Sequence, residues 1–430
     1  MMSNEPAQAG APELPAWPAF TITRLPRIVF GRGRSGELGS VVRELGRRAL
    51  VVTRGPGFVA SQDWMRLLVA LETAGVQVVL ESVSGEPSPS VVDGIVARHR
   101  VDGKAAVDVV LGIGGGSVLD TAKAVAGLLV PGNSVMDHLE GVGPQHRYEG
   151  PALPFVAVPT TAGTGSEATK NAVISVRGKS GFKKSFRDDS LVARVAILDP
   201  DLLAACPPEL IAGNGMDALT QLLESYLSTK ATPFTDALAL SGLAGVRDGL
   251  AAWYEEASRG GTGGTDGSGG TGGTGGARGA RDRMAYAALC SGICLASAGL
   301  GAVHGLASPL GAQFPIPHGV ACGATLVAAT RVNIAALEAR DPSSAALSRY
   351  AVAGWMFGGR AGGDDREARS LLVPALASLT ARLSVPRLSS FGITEASIPE
   401  LVADSRGSSM KTNPIVLTDD EIASILRASL

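Results

Sequence analysis

The chain has little net charge, few cysteines, few histidines and no long uninterrupted apolar run, and each shortage removes a class of function. With 38 basic and 40 acidic side chains the formal charge is −2, so there is no electrostatic footprint for nucleic acid or for an anionic membrane surface. The Arg47-Arg48 pair is too short to alter this and reads as a solvated helix end. Four cysteines (Cys206, Cys290, Cys294, Cys322) in 430 residues make no disulfide scaffold. Cys290 and Cys294, at helical spacing among Ala, Ser and Gly, read as buried small thiols, which fits a reducing cytoplasm. The N-terminal MMSNEPAQAGAPELPAWPAF lacks the basic flank and apolar run of a signal peptide. No stretch reaches the roughly 18 uncharged apolar residues that span a bilayer. What is there, 45% apolar and 18% charged residues, describes a soluble globular protein with room for two cores.

The first half alternates short valine-rich runs with helix-length segments. Ala49–Thr53 (ALVVT), Val78–Leu80, Val107–Ile113 (VDVVLGI) and Phe155–Pro159 (FVAVP) have the near-continuous apolarity of parallel strands buried on both faces. Segments such as Trp64–Ala74 and Ser90–Arg98 separate them. After Pro207-Pro208 the texture changes to long Ala/Leu segments, 208–228, 235–257, 284–304 and 320–339, which read as helices. Glycines within 290–305 predict close helix–helix approach. The expected organisation is a mobile tail over 1–18, a doubly wound, mostly parallel α/β dinucleotide-binding domain over 19–204, and an all-α domain over 205–430. Residues 259–281, with twelve glycines, read as a flexible loop between two helices, because helical texture resumes beyond them.

VDVVLGI runs directly into Gly114-Gly115-Gly116-Ser117 and then into a helical segment, VLDTAKAVAGLL. Glycines there let the backbone approach a pyrophosphate, and a helix N-terminus aims free N–H groups at it. FVAVP is followed by a second small, hydroxyl-rich turn, Thr160-Thr161-Ala162-Gly163-Thr164-Gly165-Ser166-Glu167. Either turn alone is also an ordinary strand-to-helix connection. Two at successive strand ends are what a phosphate-bearing ligand at the carboxyl edge of an open sheet requires.

Two of only five histidines, His304 and His318, bracket one Gly/Pro-punctuated stretch, HGLASPLGAQFPIPH. Upstream, GNGMDALTQLLESY sets Asp217 and Gln221 four residues apart, on one face of a helix. A carboxylate, an amide oxygen and two imidazoles can hold one divalent metal ion, and a metal beside a dinucleotide points to redox chemistry on an alcohol or carbonyl. Gln221 is the weak member, since an amide oxygen is a harder and poorer donor than an imidazole. His99, His138 and His146 read as surface or loop residues.

The segments FGRGRSGELG, GIGGGSVLDTAK, PTTAGTGSEATKNAVIS, AILDPDL, GMDALTQLLESY and HGLASPLGAQFPIPHG follow one another in an order that resembles the iron-containing (group III) alcohol dehydrogenase family, nearly to the end of the chain. The resemblance implies a dehydroquinate synthase-like architecture. It implies a cofactor pyrophosphate on Gly114, Gly115, Gly116 and Ser117, and adenine and phosphates against Thr160, Thr161 and Thr164. Asn171 and Lys183 match positions on the ribose and nicotinamide side. It implies Fe2+ or Zn2+ on Asp217, His304 and His318, with Gln221 in the place of a family histidine, and a homodimer or larger homo-oligomer. Two further positions depart from the pattern. Arg54 follows ALVVT where NAD-preferring members carry an acidic residue, so pairing with a 2′-phosphate opens NADP as well as NAD. Ser308 stands where the family often has a histidine proposed as a proton relay.

The expected function is reversible hydride transfer between NAD(P)H and a small aldehyde or alcohol, with the metal polarising the substrate oxygen. The reacting oxygen then lies beside His304 and His318, and its proton passes by Ser308, the ribose hydroxyl or water. Lys184, Arg187 and Lys411 leave room for an anionic aldehyde such as phosphonoacetaldehyde. The alternatives are a metal-independent reductase resembling maleylacetate reductases, a cyclase resembling dehydroquinate synthase, and a nucleotide-binding protein without turnover.

Overall fold

The valine-rich runs become strands and the Ala/Leu segments helices in the computed structural model, which describes residues 19–178, 181–260, 276–359 and 363–430. The expected tail over 1–18 and most of the glycine-rich loop at 259–281 lie outside the described residues. In chain order the first half carries β1 (Arg27–Phe30), α1 (Leu38–Leu45), β2 (Arg48–Arg54), α2 (Gly55–Val59), α3 (Gln62–Thr73), β3 (Gln77–Val83), α4 (Pro89–Arg98) and β4 (Arg100–Val101). It continues with β5 (Lys104–Ala105), β6 (Val109–Gly114), α5 (Gly116–Leu128), β7 (Phe155–Pro159), β8 (Asn171–Val176), β9 (Phe182–Arg187) and β10 (Val195–Leu198). The second half is helical: α6 (Pro208–Leu227), α7 (Pro233–Ser258), α8 (Ala277–Ala298), α9 (Ala302–Gln313) and α10 (His318–Arg340). It ends with α11 (Ala345–Gly358), α12 (Asp365–Arg382), α13 (Ile398–Asp404) and α14 (Asp419–Ser429).

Six strands form one parallel sheet in the order β1-β10-β7-β6-β2-β3. Alternate residues face opposite sides. Leu50, Val52, Val110 and Ala157 join one apolar cluster with α4 and α5, while Ala49, Val51, Val109, Leu111 and Val158 join another with α1 and α3. Every residue of β6 and β7 is therefore buried, which is why these runs show no polar alternation. The strand order reverses between β2, flanked by β3, and β6. The carboxyl ends of those two strands carry Arg54 and Gly114, at the crevice where open α/β sheets bind their ligands. The antiparallel hairpin β8–β9 leaves the sheet and packs against α9.

Helix α6 is the axis of the second half. It is buried from Ile211 to Leu227 except at Asn214, and it packs against α7, α8 and α10. A Cβ on Gly319 would lie 2.1 Å from the Gly213 carbonyl oxygen, so α6 and α10 meet backbone to backbone, one residue after His318. A Cβ on Gly292 of α8 would lie 2.2 Å from the carbonyl oxygen of Gly165. The close approach expected within 290–305 is thus of a helix to the hydroxyl-rich turn, not of helix to helix.

One expectation is corrected. The helix expected over 284–304 is two helices, α8 and α9, bent by 100° at the break. Gly299 takes φ +77°, and a Cβ on Gly301 would meet Glu224 Oε1 and Asn413 Oδ1 at 2.9 Å each. The chain therefore turns where a left-handed residue and a missing side chain permit it. One helix is, in addition, long and apolar enough to cross a bilayer: α10, with a mean hydropathy of 1.6. Its apolarity comes from Val, Leu, Ile, Ala and Cys side chains, and 61% of the window is buried inside the protein, as in a core helix.

Gly319→Ala is expected to destabilise the fold by about 1–3 kcal/mol, because both contacting groups are backbone and cannot yield. The loss should outweigh the roughly 1 kcal/mol that alanine gains in helix propensity. A lower urea midpoint at unchanged slope would report it; an unchanged midpoint would show that the two helices have room to part.

Candidate metal centre and nucleotide crevice

The break before α9 leaves the first N–H groups of that helix without intrahelical partners. Asn413 Oδ1 accepts from the Ala302 N–H at 3.1 Å, and the Glu224 carboxylate accepts from those of Val303 at 2.6 Å and His304 at 3.4 Å. The same carboxylate lies 2.7 Å from His304 Nδ1. That contact orients the ring and turns Nε2 toward α6, where it lies 3.2 Å from Asp217 Oδ1. Asp217, Gln221 and Glu224 share one face of α6 at i, i+4 and i+7.

His318 opens α10 and places Nε2 3.7 Å from the same Asp217 oxygen. One turn further on, Cys322 Sγ lies 3.8 Å from Asp217 Oδ1, 3.8 Å from His304 Nε2 and 3.9 Å from His318 Nε2. The donor atoms of Asp217, His304, His318 and Cys322 all lie within 4.8 Å of one another. Asp217, His304 and Cys322 are buried and His318 is half-buried, so the cluster opens on the His318 side.

Burial is the largest influence on each of these groups and opposes charge. Against it, His318, His304 and the Gln221 amide hold the Asp217 carboxyl below the usual carboxylate range. At His304 burial is outweighed by Cys322, Asp217 and Glu224, which keep the imidazole well above its ordinary pKa. His318 goes the other way: burial, aided by the Lys183 charge, depresses it to about 4, leaving a neutral ring at pH 7. Burial pushes the Cys322 thiol up to about 11.

The residues fit a divalent metal. Gln221 Oε1 and His318 Nδ1 are buried with no hydrogen-bond partner. A carboxylate, two imidazoles and a thiol converge around one small volume with anionic charge in excess. Asp217, His304 and His318 are thus brought together as expected. Gln221 is adjacent, buried one turn after Asp217 on the same face of α6. Ser308 stands half-buried on α9, one turn beyond His304. Sequence reasoning missed two members, Glu224 and Cys322. Their only signal was position: Glu224 seven residues after Asp217, and Cys322 four after His318.

The expected nucleotide residues gather at the carboxyl edge of the sheet. Gly115 caps α5 without a side chain, so the first N–H groups of a 13-residue helix point into the crevice. The two turns lie side by side. The Thr160 N–H donates to Gly114 O at 3.0 Å, and Cβ atoms on Gly115 and Gly116 would meet Thr161 at 3.2 Å and Thr164 at 2.6 Å. Arg54 is exposed at the neighbouring end of β2. Asn171 and Lys183 sit on one hairpin but at different ends, Asn171 paired with Arg187 and Lys183 with Ser175. Lys183 Nζ is 3.2 Å from Glu86 Oε1, on the side of the hairpin whose charge reaches His318.

Residues 26–200 match the sequence profile described as iron-containing alcohol dehydrogenase, and residues 274–430 match that of the family's C-terminal region. The chain belongs to the iron-containing alcohol dehydrogenase family. It is 30% identical over 404 residues to Alcohol dehydrogenase 4 of Saccharomyces cerevisiae (strain YJM789), covering 94% of this chain and 96% of that one. A 1,3-propanediol oxidoreductase structure aligns with a TM-score of 0.81 at 27% identity, covering 96% of this chain and 100% of that one. The sulfoacetaldehyde reductase of Bifidobacterium kashiwanohense, solved in complex with NAD+, aligns at 0.78 with 27% identity, covering 96% and 98%. As a member of the iron-containing alcohol dehydrogenases, the chain is an oxidoreductase that transfers hydride between an alcohol or aldehyde and a nicotinamide.

Glu224 is the outer partner of His304, a candidate metal ligand. Glu224→Gln should lower affinity for a divalent metal about 10–100-fold with the fold retained. Competition against a chromophoric chelator measures it, and unchanged affinity would remove Glu224 from the centre.

Proposed function

We propose that this chain is an NAD(P)-dependent alcohol dehydrogenase or aldehyde reductase acting on a small alcohol or aldehyde, with a divalent ion held by Asp217, His304 and His318. The observation that carries the reading is the convergence of those three donors in a buried pocket, beside a hairpin that leads back to the nucleotide crevice. When bound, the ion supplies a Lewis acid and the nicotinamide supplies or accepts the hydride. The protein's own residues do the rest. Glu224 fixes the His304 ring, and α6, α9 and α10 exclude water from three sides. Gly114, Gly115, Gly116 and Ser117 receive the pyrophosphate at the N-terminus of α5, with Thr160, Thr161 and Thr164 packed beside them. Asn171 and Lys183 line the ribose and nicotinamide side, and Ser308 moves the proton of the substrate hydroxyl.

Arg54 supports NADP(H) over NAD(H). It is exposed at the strand-order reversal, where a ribose 2′-substituent lies in this class of sheet. Nothing comparable supports a phosphonoacetaldehyde-like substrate. Arg187 pairs with Glu140, and Lys184 and Lys411 are exposed. Four free, buried cysteines accord with a cytoplasmic setting, and a homodimer or larger oligomer, like the cytoplasmic setting, remains part of the proposal.

The test is oxidation of NADH and NADPH against a panel of small aldehydes, before and after chelation. Metal removal should cost more than about 100-fold in kcat/KM, restored by adding metal back. Full activity in metal-free protein would favour a metal-independent reductase instead. Arg54→Ala should raise KM for NADPH roughly 10-fold and leave NADH unchanged; equal effects on both would place Arg54 outside the 2′-phosphate site.

A further inference from the structure

Five of the six separations among the donor atoms of Asp217, His304, His318 and Cys322 are close to those of a tetrahedral coordination shell, and one of these donors is sulfur. A shell with bonds of about 2.0 Å to nitrogen and oxygen and about 2.3 Å to sulfur has edges of about 3.3 Å between N and O and about 3.6 Å to S. The corresponding separations are 3.2 Å from Asp217 Oδ1 to His304 Nε2 and 3.7 Å to His318 Nε2. Those from Cys322 Sγ are 3.8, 3.8 and 3.9 Å. Contraction by a few tenths of an ångström brings these five separations to those values, and all four donor atoms lie within 4.8 Å of one another. Gln221 is placed differently: it is buried one turn beyond Asp217 on the same face of α6, and its Oε1 has no hydrogen-bond partner.

Resting on the metal reading above, we propose that Cys322 is a ligand of this ion as a thiolate, and that the Asp217–His304–His318–Cys322 set selects zinc over iron(II). The step forms a metal–Sγ bond, breaks the S–H bond and releases the thiol proton to solvent; no electrons move. Two anionic ligands neutralise a divalent ion, which a pocket with Asp217, His304 and Cys322 fully buried requires. A thiolate is a softer donor than an amide oxygen and shifts preference toward zinc. Gln221 then acts as a positioning residue for Asp217. The half-buried His318 is the side on which the set is open to a substrate.

Cobalt(II) titration of metal-free, full-length protein tests this without reference to activity, because thiolate-ligated cobalt has a near-ultraviolet charge-transfer band. The expected result is one equivalent of cobalt with that band in the native protein. Cys322→Ser should lose the band, bind cobalt more than about 100-fold more weakly, and show a reduced zinc-over-iron ratio in competition. Gln221→Ala should keep the band. One equivalent of cobalt bound without the band, in native protein whose binding is lost in Asp217→Ala, would overturn the role of Cys322 and leave the metal site standing. No stoichiometric cobalt in the native protein would overturn both. Because the band is read first on the native chain, a poorly folding Cys322→Ser does not decide the outcome.

Discussion

A single buried carboxylate, that of Glu224, organises the second half of this chain. It accepts from the first N–H groups of α9 and holds His304 Nδ1, while its own backbone belongs to α6. An anion at a helix N-terminus is favourable on electrostatic grounds alone, and here the same anion also sets the plane of an imidazole. The bend at Gly299 and the lack of a side chain at Gly301 exist to bring that helix start onto α6. Without the bend, His304 would end a long helix and point wherever its register took it.

The nucleotide side solves the inverse problem with a cation. Lys123 of α5 is fully buried, and its ammonium donates to the carbonyl oxygens of Ser166 at 2.8 Å and Asn171 at 2.6 Å, and to the hydroxyls of Ser166 and Thr169 at 3.0 Å each. Burial lowers its pKa against the pull of Asp120 and Glu167. Those bonds tie the hydroxyl-rich turn and the start of β8 to the helix that begins with the glycine triplet. In both halves, then, one buried charge gathers backbone groups from segments far apart in sequence. The satisfied network leaves the functional face rigid.

Much of this was legible because parallel strands and phosphate turns leave local signatures. β6 and β7 read as buried runs, the turns after them read as anion sites, and Asp217, His304 and His318 stood out in a chain poor in histidine. The break between α8 and α9 did not show, because Cys290–Gly305 is uniformly small and helical in texture, and only the tertiary contact of Gly301 with Glu224 and Asn413 makes a turn cheaper than a straight helix. Cys322 was hidden by its own residue type: a buried thiol among alanines looks the same whether it fills space or faces two imidazoles. Glycines were read correctly as marks of close approach but assigned the wrong partner, since what lies opposite Gly292 is 127 residues away, in the turn at Gly165.

The close approaches also fix where the candidate donor cluster and the carboxyl edge of the sheet stand relative to each other. Gly165 against Gly292 fixes the hydroxyl-rich turn on α8, and Gly213 against Gly319 fixes α10 on α6. Hairpin β8–β9 spans the gap, with Asn171 held by Lys123 at one end and Lys183 close enough to bias His318 at the other. The two glycine junctions are backbone on backbone, so neither can adjust by changing a rotamer. A hydride donor and a polarised oxygen must meet within a few tenths of an ångström, and stiff contacts hold that tolerance better than side-chain packing does. The position of His318 is therefore set by Gly319, the residue beside it, as much as by Asp217, the group it faces.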